Sequence, residues 1–183
     1  MLRQELRRSL LEARLKLDAR RVKAESSKVT VNFFTQIPIK DHAKILVYLP
    51  IKNEVDTGEL IEKLARLGKD LFVPAFINKN WVICKFDPQV RLEKVFGEVF
   101  QPTDGPTIDA VELDAAIVPG VAFSKNGARL GFGLGVYDRL LAKTSAAKIG
   151  ICYDFQIVDD FPTRSHDVRM DYIVSGGGIL KVT

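Results

Sequence analysis

The sequence predicts an α/β fold in one domain spanning residues 1–183. Short apolar runs closed by proline or glycine, which are typical of buried strands, alternate with segments of helical periodicity. No repeat, linker or low-complexity block divides the chain. Because alternating strands and helices form parallel sheets covered on both faces, we expect three layers, α/β/α. The expected sheet is mostly parallel and Rossmann-like, and an N-terminal pair of helices precedes it.

The pair of helices is predicted from apolar spacing and capping residues. Leucines recur at helical intervals from Leu2 to Leu17. Asp18 is then a suitable N-cap for a second helix over residues 19–36, which Pro38 ends.

The remaining elements follow in alternation. Further helices are predicted over 56–68, where Gly68 is the stop signal, and over 136–144. Residues 91–102 are expected to be a short helix or irregular, and residues 176–182 a turn with a terminal strand. The predicted strands are residues 44–50, 70–76, 81–86, 113–120, 148–153 and 171–175.

Composition indicates a globular protein, with 46% apolar and 27% charged residues. The apolar runs fall far short of the ~20 residues that a membrane span requires, and the first residues carry charge throughout, unlike a secretory signal. We therefore expect a cytoplasmic protein that does not contact a membrane. Cys84 and Cys152 each lie inside an apolar run, which favours two buried thiols over a disulfide.

Positive charge is concentrated at the start of the chain, where residues 1–23 have a net charge of +5. Such a segment indicates an anionic partner, namely nucleic acid, phosphate or a polyacid, or else a solvated helix face. An RNA- or polyanion-binding module is one hypothesis. Aromatic and basic residues do not interleave there, however, so no nucleic-acid partner is expected.

The segment GARLGFGLGVYDR, residues 127–139, follows a buried strand and precedes a predicted helix. Ligands bind at such positions in open α/β sheets, and bare backbone N–H groups there can hold an anion. The segment is not a P-loop, because the chain contains no G-x-x-x-x-G-K-[ST], and it is not a dinucleotide fingerprint, because Val136 stands where the third glycine would be. Asp138, read as a surface carboxylate, would repel a phosphate unless Mg²⁺ lay between them. Arg129 could neutralise phosphate oxygens.

Several segments together resemble the 5-formyltetrahydrofolate cyclo-ligase family, also called methenyltetrahydrofolate synthetases. Their order and spacing agree with the family over nearly the whole chain. The segments are RQELR (3–7), YLPIKNEVDT (48–57), FQP (100–102), PGVAFSKNGARLGFGLGVYDRLL (119–141) and HDVRMDYIV (166–174).

The resemblance implies a monomeric ligase that uses ATP and Mg²⁺ to convert a reduced folate, 5-formyltetrahydrofolate, into 5,10-methenyltetrahydrofolate. Phosphorylation of the formyl oxygen would precede release of ADP and phosphate. Leu49, Glu54, Phe132 and Val136 would hold the folate. Asp138 and Asp167 would serve Mg²⁺, and Arg129 and Asp138 would be catalytic. The implied ATP-binding residues are Arg3, Arg7, Arg129, Leu130, Gly131, Phe132, Gly133, Leu134, Gly135, Val136 and Tyr137.

Two positions depart from the family pattern. Leu134 stands where lysine or glycine is common, and Val136 where tyrosine is usual. They motivate an alternative, a non-catalytic folate- or nucleotide-binding relative of the same fold. Outside these motifs, Trp81 is expected in the core. His166 is expected to lie in a loop and to form hydrogen bonds with backbone groups. The solvated helix face is expected to hold Arg8, Arg14, Arg20 and Arg21.

Overall fold

A computed structural model of the chain describes residues 2–103 and 105–182. The predicted N-terminal pair of helices is present, and the Asp18 carboxylate caps the second helix by accepting from the Arg21 N–H at 2.7 Å. None of the helices in these two ranges is long and apolar enough to cross a membrane. The helices are α1 (Arg3–Leu15), α2 (Ala19–Gln36), α3 (Gly58–Arg66) and α4 (Val136–Leu140).

Within the described residues, the main sheet has eight strands in the order β13-β12-β10-β7-β1-β2-β3-β6. The five strands from β12 to β2 are parallel, and the strands outside them pair antiparallel. A small sheet, β11-β8-β9, and the hairpin β4-β5 lie beside it. The strands are β1 (Lys44–Leu46), β2 (Asp70–Ile77), β3 (Asn80–Phe86), β4 (Leu92–Phe96), β5 (Val99–Pro102), β6 (Thr107–Ile108), β7 (Ala115–Pro119), β8 (Ala122–Ser124), β9 (Arg129–Leu130), β10 (Ala147–Ile151), β11 (Ile157–Val158), β12 (Tyr172–Ser175) and β13 (Gly178–Lys181).

The sheet buries both faces, as its continuous apolar strands predict. On one face, Phe33 of α2 and Leu64 of α3 pack on Ile45 and Ile117. On the other, Phe123 of β8 and Leu141 after α4 pack on the neighbouring strand positions. The predicted α/β class with a mostly parallel sheet is confirmed. The second covering layer consists largely of short strands and loops around the five-residue α4.

The prediction for residues 91–102 was wrong, because this segment is a β-hairpin rather than a helix or irregular piece. Gly97, with φ of +55°, lies in the turn between its strands. The apolar residues at 95, 96, 99 and 100 fit one face of a helix as well as a hairpin, so periodicity alone could not decide.

The strand order reverses at β1. From β1 the chain crosses to β2 on one side, whereas β7, β10 and β12 are added on the other side. Right-handed crossovers in opposite directions place α3 and α4 on opposite faces. The segments that leave the carboxyl ends of β1 and β7 therefore diverge, and a crevice opens between them.

Candidate functional site

A cleft of about 570 Å³ lies at this reversal of strand order. Leu49 follows β1 into its wall, Gly120 follows β7, and residues 131–138 form a further wall. Charged side chains from α1, the 129–139 segment and the 164–167 turn line what we call the charged half. Apolar side chains from β2, β3, β5 and the end of β1 line what we call the apolar half.

The charged half brings together residues that lie far apart in the sequence. Arg3 forms two hydrogen bonds with the Asp167 carboxylate, and Arg7 donates to the Gly131 carbonyl at 2.8 Å. Burial, with the nearby charges of Arg3 and Arg164, lowers the pKa of Arg7. Burial acts to raise the pKa of Asp167, but its hydrogen bonds from Arg3 and from the Arg164 N–H lower it overall. Arg3 and Arg164 lie close enough to Arg7 for their charges to repel it, and this concentration of positive charge suits a polyanionic ligand.

Asp138 is not the surface carboxylate that the sequence predicted. Its Oδ1 accepts from Arg129 Nη2 at 3.0 Å and from the Val168 N–H at 3.2 Å, and its side chain is mostly buried. Arg129 is itself buried, with its guanidinium 5.4 Å from the centre of the Tyr137 ring. Arg129 lies nine residues before Asp138 in the same segment, and Val168 comes from the segment after His166, but no pattern in the sequence indicates that these groups meet.

The glycine segment leaves its backbone open to the cleft. In the described part of the chain, the backbone N–H groups of residues 132–136 donate no hydrogen bond to a protein acceptor. Gly133 and Gly135 adopt φ angles of +103° and +63°, which side chains disfavour. At Gly131 a Cβ would lie 2.7 Å from Arg129 Nη1, so glycine lets this guanidinium lie close against the backbone. Successive free N–H groups of this kind form an anion-binding concavity.

Leu130 is the predicted site residue that the structure does not bring to the cleft. Its side chain is fully buried in a cluster with Leu6, Ala122, Ala128 and Phe161. Its carbonyl accepts from the Val121 N–H at 2.7 Å. Leu130 therefore anchors the glycine segment from behind. Leu134, by contrast, is 63% exposed at the cleft mouth.

The residues predicted to hold the folate all line the cleft, namely Leu49, Glu54, Phe132 and Val136. Glu54 Oε2 accepts from the Ile51 N–H at 3.1 Å. Burial raises the pKa of Glu54 to about 7, against the opposing charge of Arg14. Glu54 is thus a carboxyl group poised to titrate near neutral pH.

The sequence predicts Arg14 on the solvated helix face together with Arg8, Arg20 and Arg21, and for Arg14 this prediction is wrong. The other three arginines are exposed. Arg14, however, is 1% exposed and lies behind Glu54. Its spacing of seven residues from Arg7 puts both on one helix face, and this signal could have revealed it.

Sequence reasoning also missed part of the apolar half. Trp81, predicted as a core residue, is partly exposed and lines the cleft beside Val99 and Phe100 of the unpredicted hairpin. His166 and Arg164 line the charged half. Alternation along β3 could not have revealed this, because it puts Trp81 on the same side of the strand as the buried Ile83.

The residues predicted for Mg²⁺ fit that ion only as a partial site. Among the described residues, no three His, Cys, Asp or Glu side chains form a metal-binding group. Asp138 and Asp167 are neighbours, since Asp138 Oδ1 reaches the N–H of the residue after Asp167. Mg²⁺ commonly takes one or two carboxylates, with water and substrate phosphates completing its shell. Two adjacent carboxylates beside free N–H groups are compatible with that arrangement.

Comparison with known proteins gives consistent results. The model of the 5-formyltetrahydrofolate cyclo-ligase family matches residues 2–176. The chain is 30% identical to the 5-formyltetrahydrofolate cyclo-ligase of Escherichia coli K12 over 156 residues, covering 81% of this chain and 86% of the relative. The Aquifex aeolicus 5,10-methenyltetrahydrofolate synthetase structure gives a TM-score of 0.88 at 31% identity, covering 100% of this chain and 93% of that one. The Mycoplasma pneumoniae synthetase gives 0.79 at 27% identity, covering 96% and 99%.

Proposed function

This chain belongs to the 5-formyltetrahydrofolate cyclo-ligase family and is a ligase of that family, and we propose that the cleft described above is its active site. In it, 5-formyltetrahydrofolate is converted into 5,10-methenyltetrahydrofolate with ATP as co-substrate. The observation that carries the proposal is the union, in one cleft, of free backbone N–H groups and arginines with an apolar wall.

The reaction needs these two halves because the formyl oxygen is a poor leaving group. That oxygen attacks the γ-phosphorus of ATP, and ADP departs. N10 of the folate then attacks the activated formyl carbon and loses its proton, the C–O bond breaks, and inorganic phosphate leaves carrying that proton. Such an enzyme must align two substrates and offset charge on the transferring phosphoryl group. It requires cations and N–H donors rather than a protein nucleophile.

We assign the nucleotide to the charged half. Arg3, Arg7 and residues 129–137 would hold the triphosphate, with Leu130 contributing as the buried anchor of the segment. The crowding of Arg7 by Arg3 and Arg164 supports this assignment, because an anion would relieve their repulsion. Arg129 lies 3.0 Å from Asp138 and lines the cleft, where its guanidinium can offset phosphate charge. We therefore assign catalytic roles to Arg129 and Asp138.

We assign Asp138 and Asp167 to Mg²⁺. When bound, the ion would supply positive charge to the phosphate oxygens. Arg129 and Arg3 neutralise the two carboxylates in the structure, so both arginines become available to phosphate when the carboxylates take another cation.

We assign the folate to the apolar half. Leu49 and Val136 offer apolar surface to the reduced pterin, and Phe132 offers a flat ring. Glu54 can accept from its amino and ring N–H groups, which requires the carboxylate form. We further propose a monomeric, single-domain, cytoplasmic enzyme. The two free buried thiols, Cys84 and Cys152, are consistent with a reducing compartment.

The test is turnover. The protein is incubated with Mg-ATP and 5-formyltetrahydrofolate while product absorbance and ADP are followed, with folate omitted as the control. Folate-dependent ADP release with equal methenyl product is the expected result. Tight folate binding in calorimetry without product would instead support the non-catalytic alternative that Leu134 and Val136 motivate. Absence of both would overturn the assignment.

A further inference from the structure

A buried arginine joins three segments of the cleft wall from behind. Arg14 Nε donates to the Lys52 carbonyl at 2.9 Å, and its Nη1 donates to the Gly120 carbonyl at 3.1 Å. Its Nη2 lies 3.8 Å from Glu54 Oε1, and its guanidinium carbon lies 5.4 Å from the centre of the Phe132 ring. Arg14 thereby contacts the turn at residues 51–54, the residue after β7, and the glycine segment.

Fold stability is a weak reason for this arrangement. Burying two charges costs several kcal/mol per ion before their attraction is counted, and well-packed apolar residues often replace such pairs without loss. Arg14 Nη2 also has no hydrogen-bond partner in the described part of the chain, so the pair is not optimised as a structural ion pair. A role connected with the cleft explains the burial better.

The turn that Arg14 holds is itself conformationally demanding. Lys52 and Asn53 have φ angles of +49° and +55°, a region that non-glycine residues seldom adopt. The Asn53 side chain donates to the carbonyls of Arg14 and Leu17, at 3.3 and 2.9 Å. The end of α1 therefore fixes both sides of the turn that carries Glu54.

We propose that Arg14 is a positioning residue for folate: it holds the Glu54 carboxylate and the 51–54 turn in place at the apolar half without lining the cleft itself. This inference rests on the proposed function. The planar guanidinium reaches two carbonyls and one carboxylate together, which a single ammonium group cannot do. Arg14 thus acts on substrate binding through Glu54.

The proposal has a pH-dependent consequence. The titratable and charged groups that face Glu54 are Arg14, Lys52, Tyr48, Tyr137 and Tyr153. Among these, Arg14 is the strongest influence favouring the carboxylate form. Removing its cation moves the pKa of Glu54 upward, so folate binding requires a higher pH.

The experiment compares steady-state kinetics of the full chain with those of Arg14→Gln, Glu54→Gln and the double variant. Arg14→Gln is expected to raise KM for 5-formyltetrahydrofolate at least tenfold while changing KM for ATP less than threefold. The acidic limb of kcat/KM for folate moves to higher pH in Arg14→Gln and disappears in Glu54→Gln. The double variant has a folate KM close to that of Glu54→Gln alone.

Arg8→Gln is the matched control, because Arg8 lies exposed on the same helix, and it is expected to behave as wild type. Arg14→Lys is the second variant, to be used with Glu54→Gln if Arg14→Gln does not fold. It keeps the charge and so keeps the pH limb near wild type while the folate KM still rises. Fully additive effects of Arg14 and Glu54, or an unchanged pH limb in Arg14→Gln, would overturn the proposal. Failure of the wild type to turn over would instead contradict the proposed function.

Discussion

Glu54 gives the wild-type protein a pH-dependent stability at the scale of one residue. Its pKa rises from 4.5 in the unfolded chain to about 7 in the folded one. Between these values the folded protein binds a proton that the unfolded chain releases, so stability falls as pH rises through this window. Above pH 7 the free energy of unfolding is lower by about 3 kcal/mol than it is below the unfolded pKa of Glu54. Glu54→Gln is expected to remove this decline.

Urea unfolding at pH 5 and pH 8 measures the effect. The difference in unfolding free energy between the two pH values should be smaller in Glu54→Gln than in wild type. Glu59→Gln, on an exposed carboxylate of α3, serves as the control. An identical decline in wild type and Glu54→Gln would show that Glu54 does not titrate in this range.

Asp138 combines a structural contact with a proposed catalytic one, and Asp138→Asn separates them. The amide oxygen can still accept from the Val168 N–H, but the charge that faces Arg129 is lost. We expect kcat/KM to fall at least about a hundredfold, as for loss of other transition-state charge contacts. Melting temperature should also fall, because the buried Arg129 guanidinium loses its charged partner, and differential scanning calorimetry would measure this loss. A large loss of stability with normal activity would contradict the role.

At the scale of elements, the glycine segment should tolerate strain less well than other glycine turns. Gly133→Ala forces an alanine to φ near +103°, which costs roughly 1–3 kcal/mol unless the backbone shifts. A shift would misalign the free N–H groups, so KM for ATP should rise about tenfold or more. Gly68→Ala is the matched control, since Gly68 has φ of +70° in open space after α3. It should lose stability and retain its KM for ATP.

The β4–β5 hairpin is expected to contribute to folate binding through Phe100. This side chain is partly exposed at the cleft, so its removal costs little core packing. Phe100→Ala should raise KM for folate severalfold and leave melting temperature within a few degrees. Leu92→Ala, on the same hairpin but outside the cleft, is the control. Equal kinetic effects of the two substitutions would indicate a general role of the hairpin instead.

The elements that the sequence predicted well are those with local signals. Asp18 and Pro38 mark the start and the end of α2, because a capping carboxylate and a proline act within a few residues. The hairpin had no such signal apart from Gly97. Burial of Arg14 depends on Glu54 and Gly120, which come close only after β1 and β7 pair. Local patterns therefore identified the site's motifs but missed the buried group behind them.

At the scale of the whole molecule, the fold assembles a site that no single segment contains. Arg3 and Asp167 stand at opposite ends of the chain and pair in the cleft. The glycine segment could be placed there from sequence because it follows a buried strand and precedes a helix, and ligands bind at the carboxyl ends of strands in open α/β sheets. The pairing of the charges could not be predicted, since no pattern in the sequence shows that Asp167 pairs with Arg3 or that Asp138 pairs with Arg129.

If the proposed sites are correct, these two ion pairs should make nucleotide binding dependent on a divalent ion. ATP alone would meet Asp138 and Asp167, whose charges oppose phosphate, whereas Mg²⁺ would offset these charges and leave Arg3 and Arg129 free. Mg-ATP at a hundred times its Kd stabilises the folded state by about 2.7 kcal/mol. For a chain of this size that corresponds to roughly 5–10 °C in melting temperature.

Thermal melts with ATP in Mg²⁺ and in EDTA test this dependence. The shift should be present with Mg²⁺ and small in EDTA, and Asp138→Asn should reduce the difference between the two conditions. Arg20→Gln, at an exposed site in α2, should preserve it. An equal shift in EDTA would mean that the arginines and free N–H groups bind the triphosphate without a metal, and Asp138 and Asp167 would then serve only to position Arg129 and Arg3.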